Sequence, residues 1–198
     1  MIFTSFSFLL FLTCVVAGYF VCPAKYRWGV LLIASIVFYC LADVKFLPFI
    51  VVTSAISFFT AKFIHQENEA CAAKSKELES KELKEKTKKK CKRMLQIAII
   101  LIIGYLGVTK FGKTFMGWMT SLTGNEGFSA MHIIVPLGVS YYSFSTVGYM
   151  LDVYWKRYQP EKNFLKYLLY VIYFPHILQG PIARFDRLGV QFSKEHYF

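Results

Sequence analysis

From Phe3 to Val21 the chain carries no charged side chain. Wound as a helix at ~1.5 Å per residue, such a run comes close to the ~30 Å hydrocarbon core of a bilayer. Further apolar blocks follow at Trp28–Ala42, Phe46–Ile64, Met94–Thr109, Met131–Leu151 and Phe164–Gln179. A backbone in hydrocarbon must satisfy its own polar groups, so repeated blocks of this kind favour helices. Composition agrees: 56% of the residues are hydrophobic, against about 45–50% in soluble domains. The expected fold is all-α, a polytopic transmembrane helix bundle of about six membrane segments in the cell membrane. Residues 1–65 are read as three transmembrane helices, 66–93 as a charged cytoplasmic helical loop, and 94–198 as three further membrane segments. The first block is not read as a signal peptide, which carries basic residues ahead of its apolar region; here Lys25 and Arg27 come after it.

Charge sets the expected topology. Glu67–Met94 holds ten Lys/Arg against six Glu, and basic loops face the cytoplasm. Counting back through the blocks puts Lys25 and Arg27 inside and the N-terminus outside. Counting forward puts Lys110–Ala130 outside and Lys156, Arg157 and Lys162 inside. Simple alternation then sends Arg184 and Arg187 outside, against the rule. The alternatives are a re-entrant sixth segment or arginines held in a protein-lined cavity. The charged loop pairs Glu77–Lys81, Glu82–Lys86 and Glu85–Lys89 at i,i+4, the favoured helical order. It reads as a solvated helical hairpin, or more sharply as a docking patch for anionic lipid or an acidic donor. The net charge of +11 follows from these locations and implies no nucleic-acid partner.

The fifth block is rich in hydroxyls. Pro136 suits an early helical position. Gly138, Tyr142, Ser145, Tyr149 and Asp152 then step by 4, 3, 4, 3 along one helical face. Such a face packs helix against helix or lines a polar passage, and the two readings are compatible. The candidate passage-lining residues are Tyr142, Ser145, Tyr149, Asp152, His176, Gln179 and Arg184. The sequence has no Gly-rich phosphate loop, nucleophile elbow or HExxH. Cys14, Cys22, Cys40, Cys71 and Cys91 show no CxxC or metal spacing and read as free thiols, and no metal site is assigned. Of the histidines, His65, His132 and His196 fall at block ends or near the end of the sequence. His176 lies within an apolar segment with Gln179 nearby. The Gly180-Pro181 pair is expected to end or kink that segment.

Three pieces of sequence carry a family resemblance: Pro136-Leu137-Gly138-Val139-Ser140, Leu151-Asp152-Val153-Tyr154, and Phe174-Pro175 through Gly180-Pro181-Ile182-Ala183-Arg184. In that order they resemble the membrane-bound O-acyltransferase family, in the branch of the alginate O-acetyltransferase membrane subunit. The opening "MIFTSFSFLLFL", "SIVFYCLADVKF" and "VTKF" are similar to the same branch. The resemblance implies transfer of an acyl group, acetyl in this branch, from a cytoplasmic thioester to hydroxyls of an extracytoplasmic polysaccharide. The implied donor is acetyl-CoA or an acyl carrier protein, with no resident cofactor, and the implied partner is an extracytoplasmic acetyltransferase or the polysaccharide acceptor itself. It also implies that this chain is the N-terminal part of a longer enzyme. The family's catalytic histidine lies beyond the Gly-Pro-Ile segment, so no catalytic residue is assigned here and the chain alone is expected to be inactive. The alternatives are D-alanyl transfer to teichoic acid and a non-catalytic transporter or docking subunit.

Overall fold

The computed structural model describes residues 6–77, 81–123, 135–179 and 183–192. Its helices are α1 (Phe6–Val21), α2 (Arg27–Asp43), α3 (Leu47–Glu77), α4 (Lys81–Thr123), α5 (Val139–Tyr154), α6 (Phe164–Ile172), α7 (Phe174–Gln179) and α8 (Phe185–Gln191). No strand occurs among the described residues. Three stretches are long and apolar enough to cross a membrane: Ala24–Leu41, Val44–Lys74 and Lys81–Thr123. The protein is a membrane helical bundle.

α3 is the centre. It packs along α4 and α5, and also touches α6. Its inward stripe is Ile50, Ser54, Ser57, Ala61 and Ile64, each fully buried, spaced 4, 3, 4, 3 as on α5. Apolar attraction between helices is weak in lipid, so close approach through small residues does the holding. Their hydroxyls do not remain unsatisfied: Ser54 Oγ donates to the Ile50 carbonyl at 2.7 Å, and Ser57 Oγ lies 2.6 Å from the Tyr167 hydroxyl of α6.

The Pro-Leu-Gly motif forms a turn ahead of α5. The Val139 amide donates to the Pro136 carbonyl at 3.2 Å, and Gly138 has φ 69°, a conformation that favours glycine. Pro136 therefore precedes the helix rather than occupying its first turn. The Tyr39 hydroxyl of α2 donates to the Leu137 carbonyl at 2.7 Å, which fixes the turn against the bundle.

Two blocks differ from their sequence boundaries. α4 continues to Thr123, well past Thr109. Lys110 and Lys113 can end a membrane span without ending a helix, because lysine has good helix propensity. The sixth block is not one helix: it breaks at Tyr173, whose ψ is 108°. Pro175 explains the break, since a continuous helix would press its ring against the Val171 carbonyl. The nine residues of α6 rise only about 13 Å, less than half a bilayer core. The expected break at Gly180-Pro181 lies outside the described residues.

The chain then turns back. The Tyr170 hydroxyl donates to the Ala183 carbonyl at 2.9 Å, and the Phe185 ring sits 5.7 Å from that of Tyr158, which precedes α6. Arg184 thus returns to the end of the bundle from which α6 departs. Simple alternation, which sent Arg184 and Arg187 to the opposite side, fails because neither α6 nor α7 is long enough to cross.

Gly189 permits this return. A Cβ there would come within 2.5 Å of the Phe185 ring. Phe185 is wedged among Tyr149, Tyr158 and Tyr170 and has little freedom to yield. Gly189→Ala is expected to destabilise the protein by about 1–3 kcal/mol, read as a lower thermal midpoint in detergent. An unchanged midpoint would mean that the ring is free to move.

Candidate functional site: a polar cavity at the end of α5

The last turn of α5 is closed by backbone geometry. The Lys156 amide donates to the Val153 carbonyl and the Arg157 amide to the Asp152 carbonyl, both at 3.0 Å. This is the paired hydrogen bonding of a Schellman cap. It turns Arg157 back over the helix, where its Nη1 donates to Asp152 Oδ1 at 2.6 Å. Asp152 is 6% exposed, whereas the Arg157 side chain is 46% exposed. The guanidinium also lies 4.9 Å from the Trp155 ring centroid. A carboxylate that would be costly to bury alone is thereby matched to a half-solvated cation.

Behind this pair is a knot of aromatic rings. Tyr149 is 4.5 Å from Tyr167 and 5.2 Å from Phe185, centroid to centroid. Its hydroxyl accepts the Glu161 amide at 2.9 Å, tying the loop between α5 and α6 to the helix. Asn163 caps α6 by accepting the Leu165 amide at 2.9 Å. Burial raises the pKa of the Tyr158 phenol well above its ordinary value, and the nearby Asp152 adds to the effect. The Tyr158 hydroxyl has no hydrogen-bond partner among the described residues.

Between these groups lies a cavity of about 220 Å³ walled in part by Ser145, Tyr149, Asp152, Arg157, Tyr170 and Arg184. Of the sequence candidates, it gathers Ser145, Tyr149, Asp152 and Arg184. Tyr142 is fully buried on the same face of α5 but nearer the helix start. His176 lies elsewhere, with its ring 5.5 Å from that of Tyr173. The side chain of Gln179 lies outside the described residues. Asp152 takes Arg157 as its partner, not Arg184, which is exposed and forms no ion pair among the described residues. Sequence reasoning did not anticipate Arg157, Tyr158, Tyr170 or Phe185 in the wall. Arg157 was detectable, since a basic residue two positions past the C-cap of a helix reaches its last turn; the return of Phe185 was not.

The chemistry offered by these residues is electrostatic and steric. One carboxylate is neutralised by Arg157, and Arg184 leaves the mouth positively charged. The histidines in the described residues do not reach the cavity: His65 pairs with Glu69 at 3.3 Å, and His176 faces Tyr173. Among the described residues no group of three His, Cys, Asp or Glu side chains could hold a metal ion.

Comparison with known proteins gives this geometry a context. The chain is 29% identical to the probable alginate O-acetylase AlgI of Azotobacter vinelandii, over 98% of its own length and 36% of that protein. The probable AlgI of Pseudomonas aeruginosa is likewise 29% identical, over 98% of this chain and 35% of the relative. The resemblance is to the alginate O-acetylase branch of the membrane-bound O-acyltransferases. A peptidoglycan O-acetyltransferase of Helicobacter pylori is 25% identical over 90% of this chain and 36% of its own length. The chain therefore spans about a third of the curated relatives it matches. No family model matches it, and no solved structure matches significantly.

Proposed function

We propose that this chain is part of a membrane-bound O-acyltransferase that moves an acetyl group from a cytoplasmic thioester donor to hydroxyls of an extracytoplasmic polysaccharide. The observation that carries the reading is similarity to alginate and peptidoglycan O-acetylases along nearly the whole chain. In the transfer, the polymer oxygen bonds to the acyl carbon, the carbon–sulfur bond breaks, the thiolate leaves, and the hydroxyl proton passes to a general base. The base is a histidine outside these residues, as the family resemblance implies, so residues 1–198 are inactive alone. What this chain contributes is a membrane corner, a cavity and an oriented field.

The field favours a cytoplasmic donor. Lys166 lies over Trp28, at 5.8 Å from its ring centroid, so the starts of α2 and α6 share one end of the bundle. Lys84, Lys88 and Lys156 meet at one cavity, which brings the charged hairpin and the end of α5 together. Lys25, Arg27, the hairpin lysines, Lys156 and Arg184 therefore gather toward one end. Placed inside by the basic-loop rule, that end leaves the N-terminus outside and draws anionic acetyl-CoA or an acidic acyl carrier protein. The Ser145–Asp152 side of α5 then walls the path taken by the acyl group.

The test is acetyl ester formation. The longer protein containing residues 1–198, in cells lacking their own O-acetylase, is expected to place alkali-labile acetyl esters on alginate or peptidoglycan. Purified residues 1–198 are expected to form none above a mock preparation. Membrane-inserted longer protein that acetylates neither polymer would overturn the reading, as would turnover by residues 1–198 alone.

A further inference from the structure

A second cavity, bordered by three lysines, lies at the base of the charged hairpin. It measures about 440 Å³ and is walled by Asn68, Cys71, Lys84, Lys88, Trp155 and Lys156 among others. Its lysines come from two elements far apart in sequence: Lys84 and Lys88 from one turn of α4, and Lys156 from the cap of α5. No Asp or Glu is among the described residues that line it.

Two of the hairpin's carboxylates are engaged elsewhere. Glu67 pairs with Lys90 at 2.7 Å, and Glu82 with Lys86 at 3.9 Å. Lys84, Lys88 and Lys156 take part in no ion pair among the described residues. Three like charges around one hollow repel each other, and that repulsion falls when an anion enters.

Lys156 adds an independent observation. It occupies the left-handed position of the Schellman cap with φ 58°, and it has the only positive φ of a non-glycine residue among those described. Glycine is the usual residue there. A lysine holds the position at a conformational cost, and its placement adds its charge to those of Lys84 and Lys88.

We infer that this cavity binds the phosphate of an anionic phospholipid headgroup. Its position argues for lipid over a soluble phosphate compound. The cavity opens where α3 and α4 leave their apolar segments, beside Cys91 and one turn or so from the buried Ile64–Leu95 contact region. Tyr154 and Trp155 border it, residue types that settle at headgroup level. Lysines just outside a membrane span are attracted to anionic lipid.

The experiment is native mass spectrometry of the purified chain released from micelles holding equal amounts of phosphatidylglycerol and phosphatidylcholine. Retention of phosphatidylglycerol over phosphatidylcholine is expected. The K84Q/K88Q/K156Q variant is expected to lose about tenfold of that retention. The charge-matched K81Q/K86Q/K89Q variant, altered on the exposed hairpin surface, is expected to stay within about twofold. Lys156→Gly removes the charge and relieves the backbone, so retention should fall while the thermal midpoint holds or rises. Equal losses in the two triple variants would reduce the effect to net charge and overturn the site. So would full retention by Lys156→Gly, or no preference over phosphatidylcholine. Displacement of the lipid by adenosine diphosphate or inorganic phosphate at low concentration would assign the cavity to a soluble phosphate compound and overturn the lipid assignment.

Discussion

Tyr149→Ala is expected to cost about 3–5 kcal/mol of stability, as large aromatic truncations in packed interiors do. The side chain is 1% exposed and touches rings from the loop before α6, from α6 itself and from α8. Removing it opens a void that four neighbours line, and none can fill it without leaving its own partner. Part of the usual penalty is hydrophobic transfer, which weakens where the alternative solvent is lipid. The dispersion part does not depend on water, because a void has no atoms to replace the lost contacts. The hydroxyl can be separated from the ring. Tyr149→Phe loses only the bond from the Glu161 amide, at 2.9 Å, and should cost about 1 kcal/mol. Thermal unfolding in detergent of both variants decides the matter. Tyr149→Ala within about 1 kcal/mol of Tyr149→Phe would show that the aromatic knot does not hold α5, α6 and α8 together.

The bundle was legible because hydrocarbon leaves so few choices: uncharged runs near the right length can hardly be anything but helices. The buried face of α5 was legible for the same reason that it packs. Tyr142, Ser145, Tyr149 and Asp152 recur at helical spacing, and each is buried. The matching stripe on α3 was equally periodic, yet Ser54 and Ser57 sit among so many apolar residues that their spacing did not stand out. The break at Tyr173 was hidden by continuity of apolarity, although Pro175 already forbade a straight helix through it. Gly180-Pro181 carries the louder sequence signal, because two helix breakers adjoin there. The end of α4 was misplaced because charge marks the edge of a membrane, not of a helix. The return of Ala183–Phe185 to Tyr158 and Tyr170 could not be read at all. It depends on a side-chain hydrogen bond and on the missing Cβ of Gly189, neither of which has a periodic signature. The partner of Asp152 has no periodic signature of its own: Arg157 is delivered to it by the cap geometry, at 2.6 Å.

That cap makes the second large effect asymmetric between two bonded residues. Arg157→Ala is expected to destabilise by about 2–3 kcal/mol, because it strands a buried carboxylate. The figure sits below the range for fully buried pairs since the Arg157 side chain is 46% exposed and its charge is already partly screened. Asp152→Asn is expected to cost less than about 1 kcal/mol, because the arginine left behind can turn to water. An amide at 152 still accepts from Arg157, so the fold of the cap should persist. If the pair acts as a unit, the Asp152→Asn/Arg157→Ala double variant should be more stable than the sum of the single losses predicts, by about 1 kcal/mol or more. Thermal midpoints of the three variants in one detergent give the cycle directly. Equal single-variant losses would mean that Asp152 reaches water through the neighbouring cavity. In that case the carboxylate would be solvated in place, and the cavity rather than Arg157 would be what permits a charge at the end of α5.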